Sequence, residues 1–139
     1  MSKRRKSLKA KSSASSKGVR LKHVIIDGIE FKSPLEGYTY NAFKKANISV
    51  NYEPEHYELL PKFDYLGKHY RNIKYTPDFV GDNFVCECKG RVQRDFPLRW
   101  KMFLFKFKEM GLERKSYIVH NHKEVDEMIK ELISQKNHE

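Results

Sequence analysis

Two carboxylates and a lysine lie around a short apolar segment in the middle of the chain. In YTPDFVGDNFVCECKG, residues 75–90, Glu87 follows Asp78 by nine residues, and Lys89 comes two residues after Glu87. Alternate side chains of a strand share one face, so Glu87 and Lys89 are predicted to point the same way. Asp78 is predicted at the end of the preceding strand, and a tight turn at residues 81–83 joins the two strands. We therefore expect the three side chains to meet.

This combination of residue types is suited to hydrolysis of a phosphodiester. Adjacent carboxylates repel each other unless a cation lies between them, and oxygen ligands favour a hard ion such as Mg²⁺. Such an ion lowers the pKa of a bound water and neutralises charge on a scissile phosphate, and a nearby ammonium can orient that water. The alternative is an exposed strand with an ordinary Glu–Lys pair beside a turn aspartate.

The motif Pro77-Asp78 followed by Glu87-Cys88-Lys89 resembles that of the PD-(D/E)XK nuclease superfamily. Within it, the chain is most similar to the phage endonuclease I family of Holliday-junction resolvases. The matching segments are GIEFKSPLE (28–36), YTPDF (75–79), ECKG (87–90) and LRWKMF (98–103). The resemblance implies an α/β fold with a restriction-endonuclease-like core, in which a mixed β-sheet is flanked by helices.

The resemblance also implies a role for each matching residue. Asp78 would be the central metal ligand, and Glu87 the second carboxylate, with the backbone carbonyl of Cys88 beside it. Lys89 would serve the attacking water. Glu36 would be the additional acid from the first helix, and Mg²⁺ the cofactor, with Mn²⁺ as a substitute. The implied homodimer leaves two arrangements open: exchanged elements, with Glu36 completing the partner's site, or a self-contained site in each chain.

Basic residues are concentrated in two places that suit phosphate contacts. Residues 1–22 contain nine of the 28 Lys and Arg residues and no acid, whereas the other 19 nearly balance the 18 acidic residues. We therefore expect a disordered basic arm at 1–22 and a nuclease domain at 23–139. The predicted DNA contacts are Lys3, Arg4, Arg5 and Lys6 in the arm, and Arg91, Arg94, Arg99 and Lys101 after the motif. For this second group, a solvated face explains the charges equally well.

Local signals predict the elements that must position these residues. Asp27-Gly28 is typical of a hairpin turn, and Ser33-Pro34 of a helix start, with the helix ending near Asn47. A second helix is predicted from Pro97 to Met110, with Leu98, Met102 and Phe105 on its buried side. The remaining predictions are strands at 48–60, 73–79, 84–89 and 115–120, a loop at 61–72 and a helix at 123–134.

Composition narrows the class of protein further. Cys86 and Cys88 point to the same side of one predicted strand, so a disulfide is not expected, and a reducing cytoplasm suits the chain (host cytoplasm if phage-encoded). It has no apolar run long enough to cross a membrane. The sequence thus predicts a metal-dependent, structure-selective endonuclease for branched double-stranded DNA. The alternatives are a general DNA-degrading or transposition-type nuclease of the same fold, and a non-catalytic basic nucleic-acid-binding protein.

Overall fold

The computed structural model describes residues 22–90 and 94–137. The predicted arm contacts Lys3, Arg4, Arg5 and Lys6, and also Arg91, lie outside these ranges. The strands are β1 Val24–Ile26, β2 Ile29–Phe31, β3 Asn51–Tyr52, β4 Tyr57–Leu60, β5 Phe63–Tyr65, β6 Lys68–Tyr70, β7 Ile73–Tyr75, β8 Phe79–Val80, β9 Phe84–Cys88 and β10 Lys115–Val119. The helices are α1 Pro34–Lys45, α2 Phe96–Glu109 and α3 His122–Lys136.

A four-stranded mixed sheet in the order β10-β9-β8-β3 forms the centre of the fold. Strands β9 and β10 are parallel and are connected through α2, whereas β8 pairs antiparallel with both β9 and β3. Phe84, Cys86 and Cys88 share a buried cluster with α1 and α3, and Val85 packs with α2 on the other side. Helices therefore flank the sheet, and the predicted mixed α/β class and the alternation of β9 are confirmed.

The first hairpin and α1 form as their local signals predict. Asp27 and Gly28 take positive φ angles of 52° and 76°, as a tight hairpin turn requires. The Asp27 carboxylate accepts hydrogen bonds from Lys44 Nζ at 2.7 Å and Tyr40 Oη at 2.8 Å, which ties the hairpin to α1. Ser33 caps α1 by accepting the backbone N–H of Glu36 at 3.2 Å. The cap fixes the helix start, and with it the position of Glu36.

The region between α1 and β9 differs from the prediction in three ways. The strand predicted at 48–60 is two strands of different sheets, separated by a break at Glu53, which has a φ of 45°, and Pro54. The strand predicted at 73–79 is interrupted at Thr76-Pro77, because proline has no N–H to give to a ladder. The loop predicted at 61–72 is wrong, since β5 and β6 pair there. Strands β4 to β7 form a long hairpin, residues 57–75, which we call the β-arm.

Helix α2 buries a different face from the one predicted. Leu98 and Phe105 are 63% and 61% exposed, and Met102 is only partly buried. The buried side chains are Phe96, Trp100, Phe103 and Phe107. Apolar residues lie around much of this helix, so periodicity alone could not identify the face that packs on the β-arm and the sheet.

The two cysteines behave as small core residues. Cys86 and Cys88 are free thiols and are buried on the α1 side of β9. Cys88 Sγ lies 3.4 Å from Thr39 Oγ1, a contact between β9 and α1. No helix within the described parts of the chain is both long and apolar enough to cross a bilayer.

Gly81, in the turn between β8 and β9, leaves room for the buried ring of Phe84. Its N–H donates to the Phe84 carbonyl at 3.0 Å, and a Cβ at this position would overlap that ring. We expect Gly81→Ala to lower the free energy of unfolding by about 2 kcal/mol, because the ring must leave its place in the core. Urea denaturation tests this. Gly90→Ala, where a Cβ meets nothing within 4 Å, should change it little, and equal effects would contradict the explanation.

Candidate functional site

One cleft of about 550 Å³ brings together the acidic residues and the lysine predicted from the sequence. It is bounded by the start of α1, the end of β7, the β8–β9 hairpin and the first turns of α2. Its acidic residues are Glu36, Glu53, Asp78 and Glu87, and its basic residues are Lys32, Lys74, Lys89 and Arg99. The cleft thus contains equal numbers of acidic and basic residues.

The pairing of β8 with β9 holds Asp78 and Glu87 against each other. Asp78 Oδ2 accepts the backbone N–H of Cys88 at 2.8 Å, and Glu87 Oε2 accepts the backbone N–H of Asp78 at 3.2 Å. Both carboxylate side chains are buried. Each is therefore positioned by the backbone of the strand that carries the other, so the arrangement follows directly from the hairpin register.

Burial makes it unfavourable for both acids to be ionised together. Burial, followed by the negative charges of Glu87 and Glu36, raises the pKa of Asp78 to about 9. Burial also raises the pKa of Glu87, although the nearby Tyr75 hydroxyl and the Lys89 ammonium oppose this. In the metal-free protein, the Asp78–Glu87 pair therefore holds a proton at neutral pH. A cation between the carboxylates would offset their repulsion, so the pair could release the proton.

Lys89 lies at the edge of the carboxylate pair. Its Nζ is 3.2 Å from Glu87 Oε1 and 4.6 Å from the centre of the Phe96 ring, while its backbone N–H donates to the Val119 carbonyl at 2.8 Å. The side chain is largely buried. Strand pairing and the ring thus hold the ammonium in the cleft beside Glu87.

Glu36 reaches the cleft from the first turn of α1. Its Oε2 accepts the backbone N–H of Lys32 at 2.7 Å and the hydroxyl of Tyr52 at 3.0 Å. Together with the Ser33 cap, these bonds resemble a capping box, so Glu36 also has a structural role at the helix start. Because Glu36 lines the same cleft as Asp78 of its own chain, this acid needs no exchange of elements to reach the site.

The basic residues predicted after the motif separate into different positions. Arg99 lines the cleft, donates to the Lys74 carbonyl and lies 6.0 Å from the centre of the Tyr75 ring. Arg94 and Lys101 are exposed and are not among the residues that line the cleft. Of the three members of this group that the structure describes, Arg99 alone is placed to meet a phosphate bound beside the carboxylates.

Sequence reasoning assigned no role to three residues of the cleft, Lys32, Glu53 and Tyr75. Lys32 Nζ pairs with Glu53 Oε1 at 2.8 Å; Lys32 lies in the matching segment GIEFKSPLE but has no implied role there, and Glu53 lies outside every matching segment. The buried hydroxyl of Tyr75 has no hydrogen-bond partner among the residues described, and burial and the nearby charge of Glu87 raise the pKa of Tyr75. The signal for Tyr75 was its place in YTPDF, three residues before Asp78.

The donor set of the cleft fits a magnesium ion. In the described part of the chain, no three or more His, Cys, Asp or Glu side chains form a ready metal cluster. The hydrogen bonds found there for the Asp78 carboxylate all go to Oδ2, which leaves Oδ1 for a ligand. Mg²⁺ retains several waters and is commonly held by one or two carboxylates. Asp78 and Glu87 satisfy that requirement, and Cys88 lines the same cleft.

Comparison with known proteins places the chain in a family. It belongs to the family described as "Protein of unknown function (DUF1064)", whose sequence profile matches residues 16–125. The matched range contains Glu36, Asp78, Glu87 and Lys89. No curated protein and no solved structure matches the chain. The family description specifies no activity, so the function must be argued from the cleft.

Proposed function

We propose that this chain is a Mg²⁺-dependent endodeoxyribonuclease that selects branched double-stranded DNA, such as Holliday junctions, with Mn²⁺ able to replace Mg²⁺. The observation that carries the proposal is the buried Asp78–Glu87 pair with Lys89 in the same cleft. Burying two adjacent acids destabilises a fold, and strongly shifted pKa values in a cleft are typical of functional sites.

Each residue has a part in hydrolysis of a phosphodiester. Asp78, Glu87 and the Cys88 carbonyl would hold the ion, which supplies a water of lowered pKa and neutralises charge on the scissile phosphate. Lys89, fixed beside Glu87, orients the attacking water and stabilises the charge that develops on the phosphate. Arg99 and Lys74 lie at the cleft wall, where they can contact the flanking phosphates.

The acids in the cleft distinguish a nuclease from a protein that only binds nucleic acid. Although the cleft also contains four basic residues, a phosphate that approaches the ionised Asp78–Glu87 pair is repelled unless a metal ion lies between them. A binding protein would gain nothing from placing carboxylates there. A metal-dependent hydrolase requires them.

The fold and the expected assembly are compatible with cleavage of a junction. The mixed sheet, with its carboxylates on a central hairpin, supports assignment to the restriction-endonuclease-like core implied by the sequence motif. Two symmetric incisions across a four-way junction require two sites related by a twofold axis, which a homodimer provides. A cytoplasmic location, in the host if the chain is phage-encoded, matches a DNA substrate.

Plasmid cleavage tests the proposal. Supercoiled plasmid with an extruded cruciform should be linearised in Mg²⁺ and remain intact in EDTA, while linear duplex is largely spared. Loss of both DNAs would indicate a general nuclease. Mobility shifts of both, without a cut to either, would indicate a binding protein and end the proposal. The native mass of the particle, measured alongside, tests the homodimer.

A further inference from the structure

The β-arm extends away from the core. Its base is anchored, because Tyr57 and Tyr75 are buried against Phe103, with ring centres 5.4 and 4.8 Å away. Beyond a bulge between Glu58 and Leu60, the strands continue as the β5–β6 pair, and almost every residue from 60 to 74 is exposed. Each leg of this part extends roughly 20 Å at strand spacing. The β-arm is thus a two-stranded ribbon without a sheet to cover it.

Basic and aromatic side chains alternate on this ribbon. Phe63 and Tyr70 stack with ring centres 4.9 Å apart and an angle of 7°, and Lys68 Nζ lies 5.2 Å from the Tyr70 ring centre. The basic residues of the β-arm are Lys62, Lys68, Arg71 and Lys74, against the two acids Glu58 and Asp64. This excess of positive charge complements a polyanion rather than a basic protein surface.

The leucine at the tip of the β-arm, Leu66, is in an unfavourable left-handed backbone conformation and is exposed to solvent. Leu66 has a φ of 49° and is 91% exposed, and Gly67 follows with a φ of 79°. Such turns favour Asn-Gly or Asp-Gly, and an ordinary residue with positive φ costs about 1 kcal/mol or more. Strain of this kind at an exposed site points to a functional contact.

The β-arm also begins at the cleft. Strand β7 ends at Tyr75, three residues before Asp78, and both Lys74 and Tyr75 line the cleft. DNA whose scissile phosphate lies beside Asp78 would therefore continue along the β-arm. A two-stranded ribbon fits a groove of duplex DNA, and leucine is one of the side chains that proteins insert between bases.

We propose that the β-arm is a DNA-binding element of this chain. Leu66 at its tip contacts the bases of branched DNA, and Lys68 and Arg71 contact the phosphates on either side. This inference rests on the proposed nuclease function, and it names the part of the chain that grips the substrate. DNA is the favoured partner, because the β-arm carries an excess of basic residues and because its Lys74 and Tyr75 also line the cleft. A second copy of this chain is the alternative partner.

The substitution Leu66→Asn tests DNA binding by the tip without disturbing the fold. Asparagine tolerates the left-handed conformation, so the variant should melt at the same temperature as the wild type or higher. Its affinity for a four-way junction in EDTA should fall about tenfold, the effect of losing one buried leucine contact. The matched control is Ile25→Thr, which removes an exposed apolar side chain from β1 and should bind as the wild type does. Equal affinity of Leu66→Asn and wild type would overturn the inference.

The salt dependence of DNA binding tests the phosphate contacts separately. Lys68→Gln/Arg71→Gln should reduce the slope of log K against log salt by nearly two for each chain bound, because two phosphates per chain are no longer neutralised. Lys123→Gln/Lys130→Gln on α3, on the sheet face opposite α2, should leave the slope unchanged. An unchanged slope for the β-arm pair would also overturn the inference.

Three further outcomes distinguish this inference from the nuclease proposal and from binding of a second copy. If the wild type cuts cruciform plasmid while the β-arm variants bind and cut normally, the nuclease proposal stands and the β-arm inference fails. If the wild type does not cut, the nuclease proposal fails, and weakened junction binding by the variants still supports the β-arm. If Leu66→Asn turns a dimer into a monomer in sedimentation without changing affinity per dimer, the tip binds a second copy instead.

Discussion

Asp78→Asn is expected to reduce Mg²⁺-dependent cleavage of cruciform plasmid by at least about a thousandfold, with little loss of DNA binding. The asparagine oxygen can still accept the N–H of Cys88, which the wild-type carboxylate receives at 2.8 Å. The hairpin should therefore keep its register. What is lost is the charge that holds the ion, while the basic surfaces remain. Initial rates of plasmid linearisation and junction affinity in EDTA measure the two effects separately.

Asp82 provides a matched control for this substitution. It lies exposed in the turn between the same two strands, away from the cleft. Asp82→Asn makes the same chemical change and should cut at the wild-type rate. If Asp78→Asn also cuts at that rate, Asp78 is not a metal ligand and the assignment of the site is wrong.

The parts of the fold that the sequence predicted correctly are those with strong local signals. Asp27-Gly28 strongly favours a tight hairpin turn, and Ser33-Pro34 combines a good cap with a residue suited to the first helical position. The alternation from Phe84 to Cys88 predicted which side of β9 carries Glu87 and Lys89. Because that alternation also fixes the register with β8, the approach of Asp78 to Glu87 was predictable.

The parts that the sequence missed depend on contacts distant in the chain. Leu66-Gly67 is an unusual turn pair, so the sequence predicts a loop at 61–72, where β5 and β6 in fact pair. Helix α2 has apolar residues on several sides, and only packing against the β-arm selects the face with Phe103. Lys32 reaches the cleft because Ser33 begins a helix beside it, and Lys101 misses the cleft because of the same α2 orientation. No local sequence pattern predicts positions that depend on contacts of this kind.

In EDTA, the wild-type protein is expected to lose stability as the pH rises from about 5 to about 9. The pKa of Asp78 is raised from 3.8 to about 9 in the folded state, mainly by burial. Between these values, the folded protein retains a proton that the unfolded chain has released, so the free energy of unfolding falls with pH. The contribution of Asp78 is complete below about pH 4 and disappears as the pH passes about 9. Each pKa unit corresponds to about 1.4 kcal/mol, so even half of the shift gives a loss of about 4 kcal/mol.

Asp78→Asn should remove the contribution of Asp78 to this dependence, because the amide does not titrate. Urea denaturation of both proteins in EDTA at pH 5, 7 and 9 measures the difference, with Asp82→Asn as control. Adding Mg²⁺ at pH 8 should stabilise the wild type and not Asp78→Asn, since an ion that binds the folded state alone raises its stability. Parallel pH profiles for wild type and Asp78→Asn would show that the carboxylate pair does not share a proton. The opposite responses to pH and Mg²⁺ follow from one cause: two buried carboxylates need either a proton or a metal ion between them.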